Sequence, residues 1–173
     1  MTNYANRGKS LETLIEHANE QYKAKGAALI QKVATPWTVQ RAGGRIVSAF
    51  PAHKSTVDFI GVMKHLEFTV PIAFDAKQCK NKTSFPLSNI EEHQIDFLCE
   101  WSDQGGESFF VIEMTAMKKI YRVDLIQIMS YWLNADNGGP KSIPVKDFEK
   151  FQVIVQGVGI VLDYLGIYGE GAC

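Results

Sequence analysis

The chain has 173 residues, of which 46% are apolar, and a net charge of −1, so it is long enough for one domain with a substantial core. It has no apolar run of about eighteen residues and no basic-plus-apolar leader, so we expect neither a membrane span nor a secretory signal. Cytoplasm is the expected compartment. The three cysteines and four histidines lack the spacing of a disulfide framework or a zinc site.

The near-neutral net charge hides a segregation of basic residues along the chain. Residues 22–56 and 76–90 contain no acid and together carry +9, whereas the remainder carries −10. A solvated surface usually mixes both signs, but acid-free basic segments suit a polyanionic partner. The charge pattern therefore predicts binding to nucleic acid.

The chain order begins with a helix that is well marked at its start. Ser10 is the predicted N-cap. Apolar residues follow at helical spacing and are expected to face the core, namely Leu11, Leu14, Ile15, Ala18 and Tyr22. Glu12 lies at the edge of this stripe, where the helix dipole alone would favour an acid in the first turn.

A strand is predicted over residues 27–33, and two extended arms around the Gly-Gly pair at residues 43–44 follow it. Arg41 and Arg45 flank this turn, which favours a contact with DNA. The alternative is an ordinary surface hairpin whose Trp37 packs on the body. We expect a hairpin insertion at residues 34–50 within a single domain that spans residues 1–173.

The next two predicted strands carry paired polar residues. They span residues 57–63 and 68–77. Residues i and i+2 of a strand face the same side, so Thr56 is expected beside Asp58, and Asp75 beside Lys77. Two carboxylates and a lysine on adjacent strands suit phosphodiester hydrolysis, in which the carboxylates hold Mg²⁺ and the lysine stabilises developing negative charge. The alternative is a surface hairpin with a salt bridge between Asp75 and Lys77.

The segment after these strands adds further polar groups. Residues 80–84 supply ammonium and hydroxyl donors that suit contacts with a phosphate backbone, although a merely soluble loop would look the same. Residues 88–91 predict a capping box, and the apolar stripe of the helix that follows is Ile90, Phe97, Leu98 and Trp101. Gln94 falls inside this stripe, so its amide must find partners, either at a metal site or on buried backbone.

The remainder of the chain is expected to be scaffold. Strands are predicted at residues 108–114, 119–123 and 152–156, with an apolar helix at residues 124–133. Residues 157–173 contain glycines at short intervals and are expected to pack as an irregular tail. Helices and strands without a strict βαβ repeat predict an α/β sandwich around one mixed sheet.

Several sequence motifs around these residues resemble those of the RecU family of Holliday junction resolvases, in the PD-(D/E)XK nuclease superfamily. The spacing D-x(16)-D-x-K from Asp58 to Lys77 is similar to the superfamily pattern. The other motifs are S-T-x-D at 55–58, F-D-A-K at 74–77, K-N-K-T-S-F-P-L at 80–87 and H-Q-I at 93–95, with N-R-G at 6–8, Leu11-Glu12 and Pro36 upstream. The resemblance is clear over roughly residues 6 to 115.

The resemblance implies a fold, a site and a cofactor. The fold would be a restriction-endonuclease-like α/β domain with a central mixed β-sheet flanked by helices and a short projecting β-hairpin stalk. Mg²⁺ is the implied cofactor, with Mn²⁺ as a substitute. The implied catalytic residues are Asp58, Asp75, Lys77 and Glu12. The implied metal ligands are Thr56, Asp58, Asp75 and Gln94. The implied DNA contacts are Arg7, Arg41, Arg45, Lys80 and Lys82.

The chain departs from the family pattern at two places. Asp75 occupies a position where the family motif usually has glutamate, and the interval between Pro36 and Ser55 is shorter than we expect for the family. A Mg²⁺ shell that keeps several waters can accommodate an acid that is one methylene shorter. The shorter interval predicts a hairpin stalk that is shorter than is usual in the family.

Together these observations predict a structure-specific, Mg²⁺-dependent endonuclease that resolves four-way DNA junctions by paired symmetric nicks in recombination and repair. One chain has one site, so a C₂ homodimer is expected, along with a recombinase partner. Two alternatives stay open. The protein could be a restriction-like or replication-associated nuclease that acts on linear duplex, or it could bind branched DNA without cutting it.

Overall fold

The computed structural model describes residues 10–34, 37–51 and 56–168, with only the backbone given for residues 37, 50 and 51. Three α-helices occur in these ranges: α1 Leu11–Ala24, α2 Glu92–Asp103 and α3 Leu125–Asp136. Ten strands accompany them: β1 Ala28–Lys32, β2 Trp37–Ala42, β3 Arg45–Pro51, β4 Phe59–His65, β5 Phe68–Cys79, β6 Ser84–Pro86, β7 Glu107–Met114, β8 Lys119–Asp124, β9 Ser142–Pro144 and β10 Gln152–Ile154. None of the described helices is long and apolar enough to cross a membrane.

The central sheet has six strands in the order β1-β4-β5-β7-β8-β10. Only β5 and β7 are parallel, and the other neighbouring pairs are antiparallel. A parallel pair needs a long crossover, and α2 lies in the connection between β5 and β7. This mixed sheet with helices on both faces confirms the predicted fold class.

Side chains of the central strands alternate between two hydrophobic cores. The α1 face contains Phe74, which stacks between Phe59 and Phe109 with ring centroids 5.0 and 4.8 Å away. The other face is covered by α2, α3 and the small β6-β9 sheet. Because successive side chains of a strand point to opposite faces, Asp75 projects toward the α2 face.

The first helix forms as predicted. The hydroxyl of Ser10 accepts the N–H of Thr13 at 3.2 Å, and the predicted apolar stripe is buried. At the other end of the chain, residues 157–168 are irregular and pack against α1, where Tyr22 donates a hydrogen bond of 2.7 Å to the buried Asp163. The tail therefore closes the α1 core.

Strands β2 and β3 form a hairpin outside the six-stranded sheet. Gly43 and Gly44 have φ values of 57° and 79°, as the tight turns favoured by twisted hairpins require. Every side chain between residues 38 and 49 is exposed. The predicted stalk is thus present as a two-stranded projection, while the side chain of Trp37 lies outside the described atoms.

The start of the second helix differs from the sequence prediction. The capping box uses Glu91 and Gln94, and Ser88 is not the cap. Residues 87–89 instead form a 3₁₀ turn, which delays the helix to Glu92. The helix therefore buries Gln94, Ile95 and Leu98.

Candidate active site

The sheet brings the two predicted carboxylates together where the β4-β5 ladder ends. The ladder pairs Phe59 with Phe74, so the same register continued by one residue sets Asp58 against Asp75. Regular pairing stops there because Oδ2 of Asp58 accepts the N–H of Ala76 at 2.9 Å. A side-chain carboxylate replaces the acceptor that a backbone carbonyl would otherwise provide.

This arrangement corrects the expected position of Thr56 and Asp58. Both residues precede β4 in an irregular segment, because the strand begins only at Phe59. Val57 between them is fully buried, Asp58 is half-buried and Thr56 is exposed. The role of Thr56 as a metal ligand stays a prediction.

The two oxygens of Asp75 have different surroundings, although the residue is completely buried. Oδ1 accepts a hydrogen bond from Nε2 of Gln94 at 2.8 Å. Nζ of Lys77 lies 2.8 Å from Oδ2 as an ion pair, but outside the angles of a hydrogen bond. Oδ2 therefore has no hydrogen-bond partner among the described residues, a costly state for a buried carboxylate oxygen.

The electrostatics of the pair follow from this burial. Burial and, to a lesser extent, the nearby Asp58 carboxylate together raise the pKa of Asp75 to about 7, against the opposing effect of Lys77. Two carboxylates at close range disfavour each other's ionised form, and a bound cation would remove that penalty. Strongly shifted groups of this kind are concentrated at catalytic sites.

Gln94 contacts the site and also holds its own helix. Its Oε1 accepts the N–H of Glu91 at 3.1 Å while its Nε2 donates to Asp75. Both polar atoms are thus engaged, and a metal could be ligated through the second lone pair of Oε1. The structure makes Gln94 a contact of Asp75, and its role as a metal ligand stays a prediction.

The donor set fits a hard divalent cation. No group of three or more His, Cys, Asp or Glu suited to a metal occurs in residues 10–34, 37–51 and 56–168. Mg²⁺ does not need such a cluster, because proteins usually bind it through one or two carboxylates while it keeps several waters. Asp58 and Asp75 meet that requirement, because Oδ2 of Asp75 is ion-paired with Lys77 but forms no hydrogen bond with a described residue.

Glu12 lies apart from this pair. It is exposed and, together with Glu16, binds Nζ of Lys32 at 2.6 and 2.8 Å. The hydrogen bonds within these ion pairs raise the pKa of Lys32 above its ordinary value. No hydrogen bond or ion pair joins Glu12 to Asp58 in the described structure, so its role as a third catalytic acid stays a prediction.

The predicted DNA contacts occupy two exposed places. Arg41 and Arg45 flank the turn of the hairpin, and Lys80 and Lys82 lie on the loop after β5. Arg7 lies outside the described residues. All four described side chains are solvent-exposed, so they are accessible to a phosphate backbone.

Sequence reasoning missed one basic pair near this loop. Lys118 ends the turn between β7 and β8, Lys119 begins β8, and both are exposed. The available signal was a Lys-Lys dipeptide where two predicted strands meet. That the turn lies close to the loop after β5 can be inferred only from the parallel register of β5 and β7.

The comparisons with known proteins agree with this geometry. The model of the family described as Recombination protein U matches residues 6–170. A protein of Geobacillus sp. called Holliday junction resolvase RecU is 34% identical over 95% of this chain and 84% of its own. A protein of the same description from Oceanobacillus iheyensis is 39% identical over 82% of this chain and 73% of its own.

A solved structure is also similar at a distance. It is Hjc, a Holliday junction resolvase of Archaeoglobus fulgidus, with 12% identity and a TM-score of 0.42 over 80% of this chain and 94% of that chain. The family assignment rests on the sequence matches, which extend over nearly the whole chain. This chain belongs to the RecU family.

Proposed function

We propose that this protein is an Mg²⁺-dependent endonuclease that resolves four-way DNA junctions by paired nicks. The observation that carries the proposal is the fully buried Asp75 carboxylate, which has a second carboxylate opposite it in the extended register and whose Oδ2 lies 2.8 Å from the Lys77 ammonium and forms no hydrogen bond with a described residue. Its family relatives are named as Holliday junction resolvases.

Each residue of the site has a distinct task in this proposal. Asp58 and Asp75 would hold the cation, and Gln94 keeps the Asp75 carboxylate in one orientation. Lys77 keeps its ammonium beside the carboxylates with its side chain 17% exposed, so it can reach and stabilise the negative charge that develops on a phosphodiester. When bound, the divalent cation supplies a Lewis acid and lowers the pKa of coordinated water.

The substrate and the assembly follow from the same chemistry. One chain contains one pair of catalytic carboxylates, and symmetric nicking of two strands requires two sites, so the active species is a C₂ homodimer. The exposed hairpin with Arg41 and Arg45 supplies a cationic projection that suits the crowded phosphates at a junction centre. Action in the cytoplasm beside a recombinase is part of the same proposal.

The test compares DNA forms and one conservative variant. Purified protein with Mg²⁺ should nick an immobile four-way junction symmetrically and leave a linear duplex of the same sequence intact. Asp58→Asn removes a charged ligand but keeps an oxygen that can accept the Ala76 N–H, so the fold should persist. Its nicking rate should fall by at least roughly 10² to 10³, while junction binding is kept or strengthened.

An exposed acid provides the matched control. Asp103→Asn removes one negative charge at the end of α2, where it is solvent-exposed, and should nick junctions like wild type. Equal cleavage of linear duplex would favour the restriction-like alternative, and binding without nicking would favour a non-cleaving protein. Wild-type nicking by Asp58→Asn would show that this carboxylate holds no essential metal.

A further inference from the structure

A row of exposed lysines continues from the catalytic strand across the end of the sheet. It consists of Lys80 and Lys82 after β5, Lys118 at the end of the turn between β7 and β8, and Lys119 at the start of β8, and we call these four residues the lysine row. None of the four forms an ion pair with an acid that the structure describes. Their charges are therefore available to an external anion.

Strand register fixes the lysine row relative to the catalytic residues. Cys79 of β5 pairs with Met114 of β7, and Met114 pairs with Lys119 of β8. Residues paired directly across a sheet project from the same face, so Lys119 shares the face of Cys79. Lys77, two positions before Cys79 on β5, projects from that face as well. Two strand spacings of about 4.8 Å separate Lys119 from the β5 backbone.

Hydrogen bonds hold the two lysine-bearing turns together. The backbone carbonyl of Cys79 accepts the N–H of Thr115 at 2.9 Å and its hydroxyl at 3.1 Å. Cys79 immediately precedes Lys80, and Thr115 begins the turn that carries Lys118. These bonds hold the start of the loop that carries Lys80 and Lys82 against the turn that carries Lys118.

The backbone at Lys118 points to a use for its charge. Its φ is 54°, in the left-handed region where a side chain costs roughly 1–2 kcal/mol and glycine costs little. The N–H of Lys118 donates to Thr115 at 3.2 Å, which closes the turn in this conformation. A lysine where glycine would fit with less strain suggests that the ammonium is the useful feature.

The distance from the catalytic carboxylates identifies what this surface can reach. Four residues separate Asp75 from Cys79, which is about 13 Å at roughly 3.3 Å per residue. A duplex rises about 3.4 Å per base pair along each strand. Along an arm that runs in the direction of β5, the lysine row would begin about four base pairs beyond the site of cleavage.

We infer that the lysine row binds the phosphate backbone of one duplex arm, beginning about four base pairs from the cut. The inference rests on the proposed nuclease function and extends it to the path of the arm. Lysine contacts with phosphate position DNA without reading its sequence. The phosphate backbone of a duplex arm is common to junctions and linear duplexes. Unlike the hairpin, the lysine row should therefore contribute equally to the binding of both.

The test removes two of the charges without disturbing the turn. Lys118→Gly relieves the backbone strain as it removes an ammonium, and Lys119→Ala removes the adjacent one. Lys64→Ala is the control, because this exposed lysine lies at the opposite end of the sheet and outside the two acid-free basic segments. Thermal unfolding of both variants checks that the fold is retained.

Binding should be measured in metal-free buffer, so that cleavage does not contribute. The Lys118→Gly plus Lys119→Ala variant should lose affinity for junction and linear duplex to the same degree, about eightfold per contact at 0.1 M salt. Its plot of log affinity against log salt should flatten by about 1.8. The control variant should keep the wild-type affinity and slope.

Neutral phosphate substitutes locate the contact along the arm. Methylphosphonates about four to eight base pairs from the cut should weaken binding of wild type but not of the double variant. Unchanged binding of the double variant, or equal sensitivity of both proteins to these substitutions, would overturn the inference. Because nicking is assayed separately, a protein that binds through the lysine row without cutting would refute only the proposed catalytic function.

Discussion

Replacing Asp75 with asparagine should change how the stability of the metal-free protein depends on pH. The buried carboxyl has a pKa of about 7, against an ordinary value of 3.8. Below about pH 4 the folded and unfolded chains both hold the proton, and the native state has its full stability. Between about pH 4 and 7 the unfolded chain releases the proton more readily, so the free energy of unfolding falls as pH rises.

The size of this effect follows from the two pKa values. A difference from 3.8 to about 7 corresponds to roughly 4 kcal/mol of stability lost by pH 8 in the wild type. Asparagine cannot ionise, and its oxygen can still accept the hydrogen bond from Gln94. The decline between pH 4 and 8 should therefore be smaller in Asp75→Asn than in wild type by up to that amount.

Urea unfolding in the presence of a chelator at several pH values measures this difference, with Asp103→Asn as the control for loss of one exposed carboxylate. At pH 8, Mg²⁺ at about 100 times its Kd should then stabilise the wild type by about 2.7 kcal/mol and the Asp75→Asn variant much less. Identical pH slopes for wild type and Asp75→Asn would refute the shifted pKa. Equal stabilisation by Mg²⁺ would refute the role of Asp75 as a ligand.

Four further outcomes are expected. Lys77→Ala should nick junctions roughly 10² to 10³ times more slowly in single-turnover assays and still bind them, and an unchanged rate would exclude charge stabilisation by this lysine. Gln94→Ala should lose about 1 kcal/mol of stability in urea unfolding through its capping box, and should also nick more slowly because Asp75 loses its orienting donor. Asp75→Glu should keep Mg²⁺-dependent nicking, and an inactive but stable protein would show a site built around the shorter acid. Arg41→Ala with Arg45→Ala should weaken junction binding more than duplex binding in titrations across salt, with a slope flattened by about 0.9 per contact, whereas equal losses would make the hairpin a general backbone contact.

Features set by local sequence were predictable without the structure. The cap at Ser10, the glycine turn of the hairpin and the shared face of Asp75 and Lys77 each depend on a few neighbouring residues. Side-chain periodicity and turn chemistry are local rules, so one segment is enough to apply them. The contact between Asp75 and Lys77 on β5 was therefore predictable from the sequence.

Features set by strand register and side-chain competition were not predictable. The sequence shows a continuous run of strand-forming residues through Asp58, but the ladder stops at Phe59 because the Asp58 carboxylate takes the N–H of Ala76. The position of the β7-β8 turn beside Cys79 likewise depends on a parallel pairing across a long crossover. Neither interaction has a signature within one segment.

The unequal lengths of the two ladders on β5 explain how a rigid strand carries Asp75 next to a carboxylate from outside the ladder. On one side, pairing with β7 continues to Cys79 and Met114, so the backbone that carries Asp75 and Lys77 is held in place. On the other side, regular pairing with β4 ends at Phe74, and from there the partner of β5 is the Asp58 side chain. The carboxylate that ends the ladder is thereby set against Asp75. Preorganised charge requires such a rigid support, and the same interaction that interrupts the sheet builds the pair of carboxylates.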